Sequence, residues 1–162
     1  MLEIKEVMHL DTAQKRFVMS IWNHEYPSTL AFSSISALDK YLSSLDQAVH
    51  FLLYYEQKIV GWCVEFQRDN EAWFAMIIDR NYQGLGIGKQ VLRLLTSRNK
   101  LLFGWAVNEE SEYKRLDGSA YVSPLPFYKK FGFSVISSDV LDTTALKAVR
   151  IMWQKKVPLI ND

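Results

Sequence analysis

DRNYQGLGIGKQVLRLL, Asp79 to Leu95, holds three of the seven glycines of this 162-residue chain within five positions. Ile87, Val91, Leu94 and Leu95 recur at helical spacing, so Gly84, Gly86 and Gly88 sit where a strand passes into a helix. The first turn of a helix has unpaired backbone N–H groups and carries roughly +0.5 charge. Glycines there let an anionic group approach the backbone and permit positive φ where the chain wraps it. No Ser, Thr, Asp or Asn lies between Tyr82 and Gly88 to cap the helix, and Lys89 adds positive charge to its first turn. The pattern favours an anion seat over a plain turn.

Spacing narrows the anion. A P-loop ending in Gly88-Lys89 needs glycine at position 83 and Ser or Thr at position 90, which are Gln83 and Gln90. A dinucleotide fingerprint needs two residues between its second and third glycines, and only Ile87 separates Gly86 from Gly88. Both fail.

Working outward, Val49 to Ile78 is rich in β-branched and aromatic residues and is broken at Glu56-Gln57-Lys58 and Arg68-Asp69-Asn70. It predicts three antiparallel strands joined by tight turns, with Trp62, Val64 and Phe66 on one face and Cys63 and Glu65 on the other. Ahead of it lie a short strand (Leu2–Met8) and two helices. The first is capped by Asp11 or Thr12 and stops before Pro27, and the second is capped by Ser33 or Ser34. After the glycines come a helix ending near Asn99-Lys100, a buried strand (Leu101–Val107), a polar loop (Asn108–Gly118), a short helix ending at Gly132 and two closing strands. The order β-α-α-β-β-β-α-β-α-β-β implies an α/β (α+β) fold, a mixed sheet with helices on both faces.

Residues 1–162 read as one domain, long enough to bury roughly 70% of its unfolded surface. The 19 basic and 18 acidic residues nearly balance, which argues against a nucleic-acid partner or a polybasic membrane arm. Cys63 stands alone, excluding an internal disulfide, and His9, His24 and His50 lack metal-ligand spacing, so no metal is expected. No stretch reaches ~18 uninterrupted apolar residues, and the expected location is cytoplasmic.

Gln83-Gly84-Leu85-Gly86-Ile87-Gly88 resembles the Q/R-x-x-G-x-G/A pyrophosphate loop of the GNAT superfamily of acyl-CoA-dependent N-acyltransferases. Ser123 to Phe133, SPLPFYKKFGF, resembles the family's other recurrent segment, and the order of elements is similar along essentially the whole chain. The resemblance implies a mostly antiparallel sheet whose fourth strand (Glu71–Ile78) splays from the fifth to admit acetyl-CoA. It implies pantetheine contacts at Met76 and Ile78, and an oxyanion donor at the N–H of Ile77 or Ile78. The pyrophosphate would take N–H groups from Gly84 to Lys89, and Ser123 and Phe127 would flank the cosubstrate.

The same resemblance makes Tyr128 the general acid that protonates the departing thiolate, and an amine the acceptor. Glu65 and Glu71, on the central strands, are the candidates for a general base, with His24 or Glu25 behind them. The family often carries Asn seven residues before the tyrosine, where this chain has Tyr121, which puts local pantetheine contacts in question. Cys63 reads as a small core residue, and Trp22 reads as core or as lining an acceptor pocket. A homodimer is a further implied partner. The competing reading is a non-catalytic acyl-CoA-binding or regulatory module on the same fold.

Overall fold

In the computed structural model, which describes residues 1–157, Glu56-Gln57 and Asp69-Asn70 take positive φ of 48°, 68°, 54° and 61°. Successive positive φ values make the tight turn that matches the twist of antiparallel strands. Each pair therefore closes a hairpin, joining β2 (Asp46–Tyr55), β3 (Lys58–Arg68) and β4 (Glu71–Ile78). The N-terminal strand β1 (Leu2–Val7) adds to β2 in antiparallel register. Along this half of the sheet, residues alternate between two cores.

One core packs Trp62, Val64 and Phe66 of β3 against two helices, α1 (Thr12–Glu25) and α2 (Ile35–Ser43), through Val18, Trp22 and Leu38. Asp11 starts α1 with a capping box, exchanging 2.8 Å bonds with Gln14, and Ser34 caps α2 through the N–H of Ala37. Trp22 is a core residue, with its indole N–H donated to the carbonyl of Leu30 at 2.8 Å. The other face carries Cys63 and Phe74. They pack on α3 (Ile87–Arg98) and α4 (Leu125–Phe131) through Val91, Leu92, Leu95 and Tyr128.

Beyond α3 lie β5 (Leu101–Val107), β6 (Ser134–Asp142) and β7 (Lys147–Gln154). The strand order is β1-β2-β3-β4-β5-β7-β6, with β7 inserted between β5 and β6. Every neighbouring pair is antiparallel except β4 and β5. The observed sheet is the mixed, mostly antiparallel one with helices on both faces that the order of elements implied.

That parallel pair positions the site. Trp73 opposite Phe103 is the single register pair joining β4 to β5, and towards Ile78 and Val107 the two strands separate. Asp79 N–H donates to Val60 at 2.8 Å, and Gly61 faces Ile78 in the β3–β4 register. Antiparallel pairing alternates bonded and non-bonded pairs, so Ala75 and Ile77 point their backbone groups at β3. Met76 and Ile78 turn theirs into the gap.

Candidate active site

A cleft of about 710 Å³ occupies the gap. Its walls are the end of β4, the glycine loop, α4, the end of α1 and part of the loop before α4. The glycine loop enters through a 3-10 turn at Arg80–Tyr82, begun by the Asp79 carboxylate accepting the N–H of Asn81 at 2.8 Å. Gly84 and Gly86 both take φ +80°, and a Cβ on either would meet nothing within 4 Å. Backbone conformation, rather than lack of room, therefore calls for glycine at both positions.

Gly86 is the N-cap of α3 and makes no side-chain cap bond. The first helical bond runs from Gln90 N–H to Gly86, so the N–H groups of Ile87, Gly88 and Lys89 have no partner within the helix. Gly88 packs under Phe127 and Ile78, where a Cβ would come within 3.0 and 3.4 Å of their side chains. An uncapped, glycine-built helix start beside the outward-facing backbone of Met76 and Ile78 has the donors to receive a phosphate with an extended arm. The residues fit the diphosphate and pantetheine of an acyl-CoA.

Charge agrees with that fit. Lys89, Arg115 and Lys130 line the cleft, and Glu25 is the one acidic residue among the described lining residues. Glu25 is itself paired with Arg80 at 3.0 Å.

The structure brings most of the sequence-derived candidates together. Met76, Ile77, Ile78, Gln83, Gly84, Gly86, Ile87, Gly88, Lys89, Ser123, Phe127 and Tyr128 all line the cleft. Within that set, Ile87 is a buried core side chain that offers its backbone. Gln83 donates to the carbonyl of Ile78 at 3.1 Å and pins the loop to β4. Leu85 is half-exposed and lies outside the lining. The hydroxyl of Ser123 is used within the fold, donating to the Val107 carbonyl and accepting the N–H of Leu125 at 3.1 Å. It ties the start of α4 to the end of β5.

Tyr128 is 5% exposed and packs edge-on against Phe74 and Phe133, at centroid distances of 5.6 and 5.5 Å. Burial, reinforced by Tyr121 and Cys63, pushes its phenol well above the ordinary value, so the hydroxyl stays protonated. Cys63, wholly buried on the same face, has its thiol raised by burial and then by Glu65, and is the inert core residue expected.

The two carboxylates expected as bases lie on the central strands but away from the cleft. Glu71 opens β4, seven residues before Ile78 and roughly 23 Å away along an extended strand. There it pairs with Arg150 at 3.0 Å. Glu65 accepts from Asn99 at 2.6 Å, at the end of α3 remote from the glycines. Neither lines the cleft. Glu25, the reserve candidate, does.

Tyr26, Arg115 and Tyr121 also line it, without having been singled out for that role. Tyr121 occupies the departed Asn position, and burial raises its phenol to about 12 against an opposing pull from Arg115. Arg115 comes from the polar loop, Asn108–Gly118.

A seven-stranded mixed sheet, with its parallel pair splayed over a glycine-built helix start, defines the GNAT acetyltransferase fold. A family model described as an acetyltransferase (GNAT) domain matches residues 46–135, and the chain belongs to that family. An aminoglycoside 6'-N-acetyltransferase solved with coenzyme A is similar over 96% of this chain and 99% of its own, at 11% identity and TM-score 0.67. A GNAT family acetyltransferase from Elizabethkingia anophelis with acetyl-CoA bound is similar over 95% and 98%, at 18% identity and TM-score 0.60. The ribosomal-protein-S18-alanine N-acetyltransferase of Escherichia coli is similar over 99% and 98%, at 14% identity and TM-score 0.64. No curated protein sequence matches the chain. Among the described residues, no helix is long and apolar enough to cross a membrane.

Proposed function

We propose that the protein is an N-acetyltransferase that moves the acetyl group of acetyl-CoA to a primary amine of a small molecule or peptide. The observation that carries the reading is one shared cleft. It holds the uncapped start of α3, the outward-facing backbone of Met76 and Ile78, and the buried phenol of Tyr128. Structural neighbours holding coenzyme A or acetyl-CoA support it.

Acetyl-CoA, when bound, supplies a thioester carbon open to attack by a neutral amine. The N–H groups of Ile87, Gly88 and Lys89 bind the diphosphate, with Lys89 and Lys130 neutralising its charge. Met76 and Ile78 hold the pantetheine arm as an added strand, and the N–H of Ile78 polarises the thioester carbonyl. Tyr128 donates its proton to the departing sulfur and takes one back from the acylated nitrogen, so that the amine's proton ends on the thiol. The Tyr128 phenol, kept neutral by burial, retains its proton across the physiological range.

The test is thiol release from acetyl-CoA over a panel of amines, amino acids, aminoglycosides and peptides. Amine-dependent release is expected. Tight acetyl-CoA binding without transfer to any acceptor would favour the non-catalytic module.

A further inference from the structure

Arg80 precedes the glycine loop by three residues and is absorbed by no part of the mechanism above. Its guanidinium reaches two distant stretches of chain, 55 and 37 residues away. Nε donates to Glu25 Oε1 at 3.0 Å and Nη2 to the carbonyl of His24 at 2.7 Å, both at the end of α1. Nη1 donates to Asp117 Oδ2 at 3.0 Å and lies 3.4 Å from Ser119 Oγ, both at the tip of the loop before α4.

The two stretches carry one wall of the cleft. Glu25 and Tyr26 come from the first, and Arg115 and Tyr121 from the second. One backbone bond also joins them, Ser28 N–H to Lys114 at 2.8 Å. The loop is preorganised as a narrow hairpin, with Arg115 N–H donating to Ser119, Tyr121 N–H donating to Tyr113, and Gly118 turning at φ +84°. Ser119 donates to Asp117 at 2.6 Å and aims that carboxylate at Arg80.

We propose that Arg80 is a positioning residue for the acceptor. Its planar fork clasps the end of α1 to the 113–121 loop, and so assembles the acceptor wall beside the acyl-CoA seat. The proposal rests on the acetyltransferase reading for the word acceptor alone; the clasp is a property of the fold. A planar guanidinium serves both segments at once through separate nitrogens, whereas the point charge of lysine does not. Glu25 is 6% exposed, so Arg80 also answers a nearly buried carboxylate that would otherwise face the cleft alone. The proposed acyl-CoA contacts lie at Met76, Ile78, the backbone from Gly84 to Lys89 and Lys130, none of which the guanidinium bonds.

The experiment compares wild type with Arg80→Met, Arg80→Lys and Asp117→Ala. Asp117→Ala opens the loop arm and leaves Glu25 paired, which keeps the test available if Arg80→Met misfolds. Hydrogen exchange of amides 113–121 is expected to quicken about tenfold in Arg80→Met and Asp117→Ala, while amides 83–90 of the CoA-loaded protein keep their protection. The KM for the amine should rise about tenfold or more, with the KM for acetyl-CoA unchanged and only partial recovery in Arg80→Lys. Unaltered exchange at 113–121 overturns the clasp, as does a parallel loss of acetyl-CoA affinity. Failure of the wild type to bind acetyl-CoA would refute the acetyltransferase reading instead, and the exchange data would still judge the clasp.

Discussion

Gly88, in the first turn of α3, lies against Phe127 of α4 so closely that a Cβ would stand 3.0 Å from Phe127 Cζ. The two segments that mark this family in the sequence therefore touch, and the floor of the cleft is their contact. In Gly88→Ala, the added methyl meets Phe127 and Ile78, at a cost of about 1–3 kcal/mol if neither yields. Alanine in a helix regains about 1 kcal/mol over glycine. Stability should change little while CoA affinity falls several-fold, as measured by titration calorimetry beside thermal unfolding. Unchanged affinity would remove this contact from the cosubstrate site.

Gly86→Asp places a carboxylate at the N-cap of α3 and forces an L residue to φ +80°. The strain is modest, about 1 kcal/mol, and aspartate is a good cap. The anion seat, however, is then filled by an anion of the protein. The expected result is a folded protein with no measurable CoA binding by calorimetry; retained binding would contradict the loop assignment.

Tyr128→Phe keeps the edge-on packing against Phe74 and removes the proton donor. Turnover should fall roughly 100-fold or more, with the dissociation constant for CoA nearly unchanged. Because burial holds the wild-type phenol above its ordinary value, the turnover–pH profile should show no alkaline limb from Tyr128 below about pH 10. Equal turnover in the two proteins would take Tyr128 out of the chemistry.

Ser123→Ala removes a hydroxyl that bonds both Val107 and Leu125. Loss of this tie resembles loss of a helix cap and should cost about 1 kcal/mol in urea unfolding. Turnover should drop more than CoA affinity, because α4 carries Tyr128. A loss of CoA affinity with unchanged stability would instead make Ser123 a direct cosubstrate contact.

His50 accepts the indole N–H of Trp62 at Nδ1, at 3.1 Å, and is 5% exposed. Burial, then His9, lowers its pKa to about 4. The fold thus favours neutral imidazole. Its contribution is complete above pH ~6.5, the unfolded value, and is lost as the pH falls through about 4. After screening, the loss should be roughly 1–2 kcal/mol. Urea midpoints of the wild type and His50→Gln, measured between pH 7 and 4, should converge on acidification; parallel curves would exclude His50 as the source.

Local signals were legible because local forces produce them. Asp11 with Gln14, the paired turn residues at 56–57 and 69–70, and the glycines at 84 and 86 act through bonds and dihedrals within a few residues. The base candidates were not legible in the same way. A strand advances about 3.3 Å per residue, so Glu71 and Ile78 share β4 while standing at opposite ends of it. Glu65 shows the same limit, since its sheet face was read correctly but its partner, Asn99, lies 34 residues on.

By itself the chain determined its strands and helices, their alternation, and a cluster of three glycines at the uncapped start of a helix. Those features are encoded in periodicity and backbone freedom. Tertiary structure alone decided that Glu25, Tyr26, Arg115 and Tyr121 meet Tyr128 at one cleft, and that the Ser123 hydroxyl ties α4 to β5. It also decided where β4 and β5, whose parting the resemblance implied, are joined: at a single pair, Trp73 and Phe103. Such contacts depend on where side chains from distant segments end in space, and hydrophobic pattern says which face a residue takes without saying how far along it lies.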